Sequence, residues 1–229
     1  MTKTAVITGA SRGLGLALAE GLARDGWQLV IDARTEPDLE AAAAGLSRLT
    51  KVVALPGDVV DDDHRAELAA AADRLGGADL LVNNASTLGG SPPPALGTFP
   101  LPALLDTFEV NVLAPIALTQ LLLPQLRRST SGTVLNVSSD AAVEAYEGWG
   151  GYGAAKAALD HASAVLAKEE PALRVWAVDP GDLRTRLQQE AFPGEDISDR
   201  PLPETVVPRL LGLLRDRPES GRYVAAALR

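Results

Sequence analysis

Short β-branched or apolar runs alternate along the chain with longer stretches rich in alanine and leucine. Seven of the short runs read as strands: Thr4 to Thr8, Gln28 to Ala33, Lys51 to Leu55, Asp79 to Asn83, Thr133 to Ser138, Arg174 to Val178 and Arg222 to Ala226. Between them, segments of helical length lie near 13–25, 37–47, 61–75, 101–128, 150–169 and 203–216. Strands that alternate with helices imply crossover connections, and hence a parallel sheet with helices on both faces. The expected fold is therefore an α/β doubly wound parallel sheet of about seven strands. Such sheets bind ligands beyond the carboxyl ends of their strands, where the winding reverses. No repeat or shift in composition divides the chain, so residues 1–229 are expected to form a single domain. The proline-rich stretches at 91–94 and 192–203 read as surface loops.

Composition narrows the chemistry. With no cysteine and two isolated histidines, His64 and His161, the chain offers no thiolate site and no zinc centre. A net charge of −9 disfavours a nucleic-acid partner, because phosphate backbones are bound by surplus lysine and arginine. No uninterrupted apolar run of about 18 residues predicts a membrane span, and no cationic, hydrophobic leader opens the sequence. The expectation is a cytoplasmic protein. Asp61-Asp62-Asp63 reads as a helix start, where carboxylates satisfy free N–H groups and the dipole.

Two motifs carry the chemistry. Thr8-Gly9-Ala10-Ser11-Arg12-Gly13-Leu14-Gly15 follows the first apolar run directly. Glycines there let the backbone approach a pyrophosphate, and the helix starting near Gly13 aims free N–H groups at it. The spacing differs from the general Gly-x-Gly-x-x-Gly dinucleotide fingerprint, and a tight turn without a ligand is the alternative reading. Tyr152 and Lys156 form a Tyr-x-x-x-Lys pair that begins thirteen residues after Ser139. Alone, that spacing also describes two residues sharing a solvated helix face.

Taken together, these residues resemble the short-chain dehydrogenase/reductase family in its compact, single-domain branch, over nearly the whole length. The implied fold is the Rossmann-type version of the doubly wound sheet. Thr8 to Gly15 matches the family's Thr-Gly-x-x-x-Gly-x-Gly turn, which implies cofactor contacts at Gly9, Ser11, Arg12, Gly13, Leu14 and Gly15. Asp58-Val59 matches the adenine-contacting segment, and Asn83-Asn84-Ala85 the Asn-Asn-Ala-Gly segment, with Asn84 and Ala85 beside the cofactor. Pro180, Gly181 and Thr185 match the Pro-Gly-x-x-x-Thr segment beside nicotinamide. Asn111, Ser139, Tyr152 and Lys156 match the catalytic tetrad, with Tyr152 and Lys156 also holding the cofactor.

The resemblance implies a nicotinamide-dependent exchange between carbonyl and alcohol. Tyr152 is the acid or base, and Lys156 favours its phenolate and holds the nicotinamide ribose. Ser139 polarises the substrate oxygen, and Asn111 anchors a water near Lys156. The interval to Tyr152 selects Ser139 over Ser138, which is left to cap the strand end or bond to local backbone. Tyr146 lacks a lysine four residues on and is assigned to the pocket wall or surface, and His161 to packing or an interface. Ser86 stands where the family has glycine, and Asp140 and Glu144 add an acidic wall or solvated loop charges. The segment after the last predicted strand is short where relatives often carry one that helps tetramers pack.

Cofactor choice turns on Leu29-Val30-Ile31-Asp32-Ala33-Arg34. Asp32 is one residue earlier than the aspartate of NAD-dependent relatives, and strand alternation turns it to the opposite face. Arg34 and Arg12 suit a 2′-phosphate, so NADP(H) is expected over NAD(H). The 184–203 segment occupies the place of a substrate lid, and Trp149 and Tyr146 offer apolar walls, which leaves a small ketone, aldehyde or alcohol as substrate. The alternatives are an NAD(H)-dependent alcohol dehydrogenase of the same family or a nucleotide-sensing scaffold without catalysis. A sugar-nucleotide epimerase would need a larger C-terminal domain. The long helices at 101–128 and 150–169, with Ala154, Ala155, Ala157, Ala158 and Ala162, predict pairing into a homodimer or homotetramer.

Overall fold

The computed structural model describes residues 2–228. Its strands are β1 (Thr4–Ile7), β2 (Gln28–Ala33), β3 (Val52–Pro56), β4 (Leu80–Asn83), β5 (Thr133–Val137), β6 (Arg174–Asp179) and β7 (Gly221–Val224). They form one sheet in the order β3-β2-β1-β4-β5-β6-β7. Every neighbouring pair is parallel, with Val6 opposite both Val30 and Leu81. The order reverses at β1, where the chain crosses from β3 back to β4, and this opens a crevice beyond the carboxyl ends of β1 and β4.

Helices α1 (Gly13–Arg24), α2 (Glu36–Leu46), α3 (Asp62–Arg74), α4 (Leu101–Phe108), α5 (Ala114–Arg128), α6 (Gly150–Glu169), α7 (Arg186–Ala191) and α8 (Val207–Asp216) complete the fold. Adjacent strand residues serve opposite layers, as the two-residue strand period requires. Ile7, Val82, Leu135 and Trp176 pack with Leu18 and Leu22 of α1 and Leu210 and Leu213 of α8. Their chain neighbours Val6, Leu81, Val134 and Val175 pack with Leu68 of α3 and Leu118, Leu122 and Leu126 of α5. Each full burial of such a side chain contributes about 1.5–3 kcal/mol, so the two layers hold the strand ends in fixed register.

Three elements differ from the sequence expectation. The helix expected over 101–128 is interrupted by a π-helical turn at Glu109–Leu113, between α4 and α5. Pro115 lies just beyond it and cannot supply the N–H that an unbroken ladder needs. The segment Leu101–Arg128 is long and apolar enough to cross a membrane by length and composition, yet its α5 half lays Leu118, Leu122 and Leu126 in the core. The helix expected from 203 starts as a 3-10 turn at Pro203–Thr205 and becomes α-helical at Val207. Finally, α7 forms inside the expected lid, started by Thr185, whose hydroxyl accepts from the Gln188 N–H. At the expected helix start, Asp61 is the N-cap and accepts from the Asp63 N–H.

Candidate active site

The glycine turn is built by three mutually braced segments. Gly9 and Gly13 have φ of +65° and +57°, a region that L side chains avoid. Thr8 Oγ1 accepts from the N–H groups of Asn84 and Ala85, each at 3.0 Å. Asn84 Nδ2 donates to the carbonyls of Thr8 and Gly9 at 2.8 and 3.0 Å. A side chain on Gly15 would lie 2.5 Å from the Gly9 carbonyl and 2.6 Å from Asn84 Nδ2. The missing side chain of Gly15, which is set back from the cleft lining, lets the turn pack against α1.

Asp32 lies on the face opposite Ala33, as strand alternation predicts: Leu29, Ile31 and Ala33 share one layer while Asp32 meets His64 of α3. Asp32 is 1% exposed, accepts from the Gly9 N–H at 2.7 Å, and lies 3.1 Å from His64 Nε2. Burial raises the Asp32 pKa, while His64 and the Gly9 N–H oppose that rise. The His64 ring takes the space that Gly57, without a side chain, leaves open. Neither role was legible from motif spacing. The available signal was a lone aspartate in an otherwise apolar strand, which demands a buried partner.

From this turn a cleft of about 920 Å³ runs across the carboxyl ends of the strands. It is lined by the turn residues Ser11, Arg12, Gly13 and Leu14, by Arg34, Asp58, Val59, Asn84 and Ala85, and by Ser139, Tyr152, Lys156, Pro180, Gly181 and Thr185, the last packed beside Gly13. Arg12 pairs with Asp38 at 3.2 Å, both side chains being nearly half exposed. Arg34 is exposed and makes no ion pair among the described residues.

To this cleft β5 delivers Ser139 and α6 delivers Tyr152 and Lys156. Lys156 Nζ donates to the Val137 carbonyl at 2.7 Å and lies 5.5 Å from the Tyr152 ring centre. Burial pushes the Tyr152 phenol up to about 12, helped by Asp140 and Asp179 and opposed by hydrogen bonds with Ser86 and Ser139. Burial pushes Lys156 down to about 8, and Asp160 opposes this. The activated phenolate expected from the sequence is thus not the resting form. Desolvation penalises both charges at once.

Ser139 Oγ donates to Asp140 Oδ1 at 3.0 Å and accepts from the Ala141 N–H at 3.2 Å. The Tyr146 hydroxyl donates to Asp140 Oδ2 at 3.0 Å, so Asp140 joins the wall while Glu144 is exposed and outside it. Ser138 Oγ is buried with no protein partner, instead of bonding to local backbone as expected. His161 is exposed on α6. Trp149 meets Tyr152 edge-on at 5.6 Å and Phe192 at 6.0 Å, which makes an aromatic mouth.

Asn111 is recessed behind the cleft. It is 0% exposed in the π turn and does not reach the cleft wall. Its Oδ1 accepts from Ser86 Oγ and the Thr87 N–H, at 3.1 and 3.0 Å, and its Nδ2 donates to the Thr87 carbonyl at 2.8 Å. The side chain thus braces the Ser86–Thr87 segment and the serine that replaces the usual glycine.

Comparison with known proteins agrees with this architecture. An uncharacterized oxidoreductase of Mycobacterium tuberculosis is 34% identical over 230 residues, covering 98% of this chain and 85% of the relative. Mouse sepiapterin reductase is 37% identical over 199 residues, covering 81% and 76%. A short chain dehydrogenase from Shigella flexneri, solved with NADP, superposes with a TM-score of 0.88 at 29% identity, covering 98% and 97%. The short chain dehydrogenase profile itself matches residues 3–196. With the turn, the parallel sheet and the Ser139, Tyr152 and Lys156 cluster in one cleft, the chain belongs to the short chain dehydrogenase family of oxidoreductases.

Proposed function

We propose that this protein interconverts a carbonyl and a primary or secondary alcohol with NADP(H), the whole chain 1–229 acting as one catalytic domain in the cytoplasm. The observation that carries the reading is that Ser139, Tyr152 and Lys156 share one cleft with the glycine turn. The turn suits a dinucleotide: Gly9 and Gly13 leave the backbone bare at the N-terminus of α1, and Asn84 holds it open. The bound nicotinamide supplies or accepts the hydride.

The remaining work belongs to the chain. Ser139 turns its hydroxyl proton from Asp140 to the substrate oxygen and stabilises the charge that develops there. Tyr152, protonated at neutral pH because its pKa lies near 12, gives its proton to that oxygen. Lys156, held by the Val137 carbonyl, supplies positive charge beside the phenolate that remains. Oxidation of an alcohol runs these steps in reverse. Fluorescence titration with NADPH and NADH, followed by a panel of ketones and aldehydes, tests the proposal; binding of neither nucleotide overturns it.

NADP(H) is favoured because Arg34 is free to meet a 2′-phosphate while both oxygens of Asp32 are engaged by Gly9 and His64. The NADP found in the Shigella structure agrees with this choice. Arg34→Ala is expected to weaken NADPH binding about tenfold, near 1.4 kcal/mol, with NADH affinity little changed. Equal losses for both nucleotides would remove Arg34 as the phosphate reader.

The proposal extends to a homodimer or homotetramer. Leu101, Leu105, Leu113 and Leu121 of the α4–α5 segment and Val165 of α6 are exposed at 71%, 66%, 57%, 43% and 42%, an apolar surface suited to pairing. Sedimentation at micromolar concentration is expected to give at least twice the 23.8 kDa chain mass. A species of chain mass would refute association.

A further inference from the structure

We propose that Arg222 is a positioning residue that ties the ends of β5 and β6 to the middle of α6 behind Ser139 and Lys156 and balances the charge there. It stands on β7, opposite Ala177 of β6, and its side chain is 26% exposed. One guanidinium reaches three elements. Nη2 donates to the Ser139 carbonyl at 2.9 Å, Nε donates to Asp160 Oδ2 at 3.0 Å, and Nη2 lies 3.5 Å from Asp179 Oδ2.

Each partner leads into the site. Ser139 is the polarising hydroxyl of the proposed reaction. Asp160 is one turn beyond Lys156 on α6, and its other oxygen, Oδ1, is buried without a partner. Asp179 ends β6 and accepts from the Gly181 N–H at 2.9 Å, which fixes the start of the segment lining the nicotinamide end. A planar fork with several donors suits this task, and a lysine could not make the same set of bonds.

Three elements bring charged or titratable groups to this region. α6 contributes Lys156, Asp160 and the Tyr152 phenol, β6 contributes Asp179, and the turn after β5 contributes Asp140. Asp160 and Asp179, 13% and 7% exposed, share the single guanidinium. Loss of Arg222 leaves Asp160 and Asp179 without their shared cation, and the freed charge of Asp160, which already opposes the fall of Lys156, then favours the charged form of Lys156 more strongly.

The proposal rests on the oxidoreductase reading only for the meaning of Ser139, and its test does not require turnover. The chain has four lysines. Protein made with lysine labelled with carbon-13 at Cε therefore gives four signals, and the one absent from Lys156→Arg is that of Lys156. In Arg222→Met, the Lys156 titration midpoint is expected to rise by roughly half a pH unit or more. Asp160→Asn added to Arg222→Met should bring it back down.

Arg222→Lys should keep the midpoint near wild type but, like Arg222→Met, move the amide signal of Asp140, which shares its peptide with the Ser139 carbonyl. A midpoint unchanged in Arg222→Met refutes the charge role, and a rise as large in Arg222→Lys reduces it to packing. An unmoved Asp140 amide in both variants refutes the link to Ser139. Melting temperatures check the fold, and Arg222→Gln replaces the methionine variant if that one does not fold. Failure of wild type to reduce any carbonyl would overturn the function and leave these arms readable.

Discussion

Tyr152→Phe is expected to lower kcat for NADPH-linked carbonyl reduction about a thousandfold while NADPH affinity stays within about twofold of wild type. The change deletes one hydroxyl and keeps the ring that packs edge-on against Trp149. Tyr152 is 6% exposed, so few solvent molecules reach the position from which a substitute proton could come. Stopped-flow absorbance of NADPH with an activated ketone gives kcat, and nucleotide fluorescence gives affinity. A loss of less than tenfold would move the proton donor to another group, and Tyr146, hydrogen-bonded to Asp140, would be the first to examine. Because burial holds the Tyr152 phenol near 12, reduction by wild type should lose nothing to its ionisation between pH 6 and 9. Alcohol oxidation, which needs the phenolate, should instead speed up as pH rises.

Gly15→Ala is expected to weaken both nucleotides at least tenfold and to cost about 1–3 kcal/mol of stability. The new methyl group would sit 2.5 Å from the Gly9 carbonyl and 2.6 Å from Asn84 Nδ2. Neither neighbour can give way cheaply, since one is backbone and the other is tied to the carbonyls of Thr8 and Gly9. Relief must come from separating α1 from the turn, which spoils the N–H groups aimed at the pyrophosphate. Urea unfolding and nucleotide fluorescence on the same preparation read the two effects. Wild-type affinity in a stable variant would show that the turn tolerates the displacement.

Most of the sheet was legible because each buried strand is a short, nearly continuous apolar run, and parallel order follows from the helices between them. The approach of the glycine turn to Tyr152 was legible because Rossmann-type topology brings strand ends together regardless of side-chain detail. What stayed hidden depends on pairings between distant residues. Strand alternation gives the face of Asp32, but not its partners, Gly9 in one direction and His64 in the other. Asn111 carried a family motif, yet the π turn and Ser86 decide where its amide bonds go. Arg222 belongs to no motif and acts only because β7 ends the sheet beside β6. The balance of burial against neighbouring charge at Tyr152 and Lys156 also has no signature in spacing.

The position of β1 has a kinetic consequence. β1 sits inside the sheet, and its second neighbour is β4, which begins at Leu80. Pairings so distant in sequence require a long loop to close before they contribute anything, and parallel sheets fold slowly for that reason. Asn84, which fastens Thr8 and Gly9, follows β4 directly. The glycine turn therefore cannot be fastened in its shape until some seventy-five residues beyond it have been made.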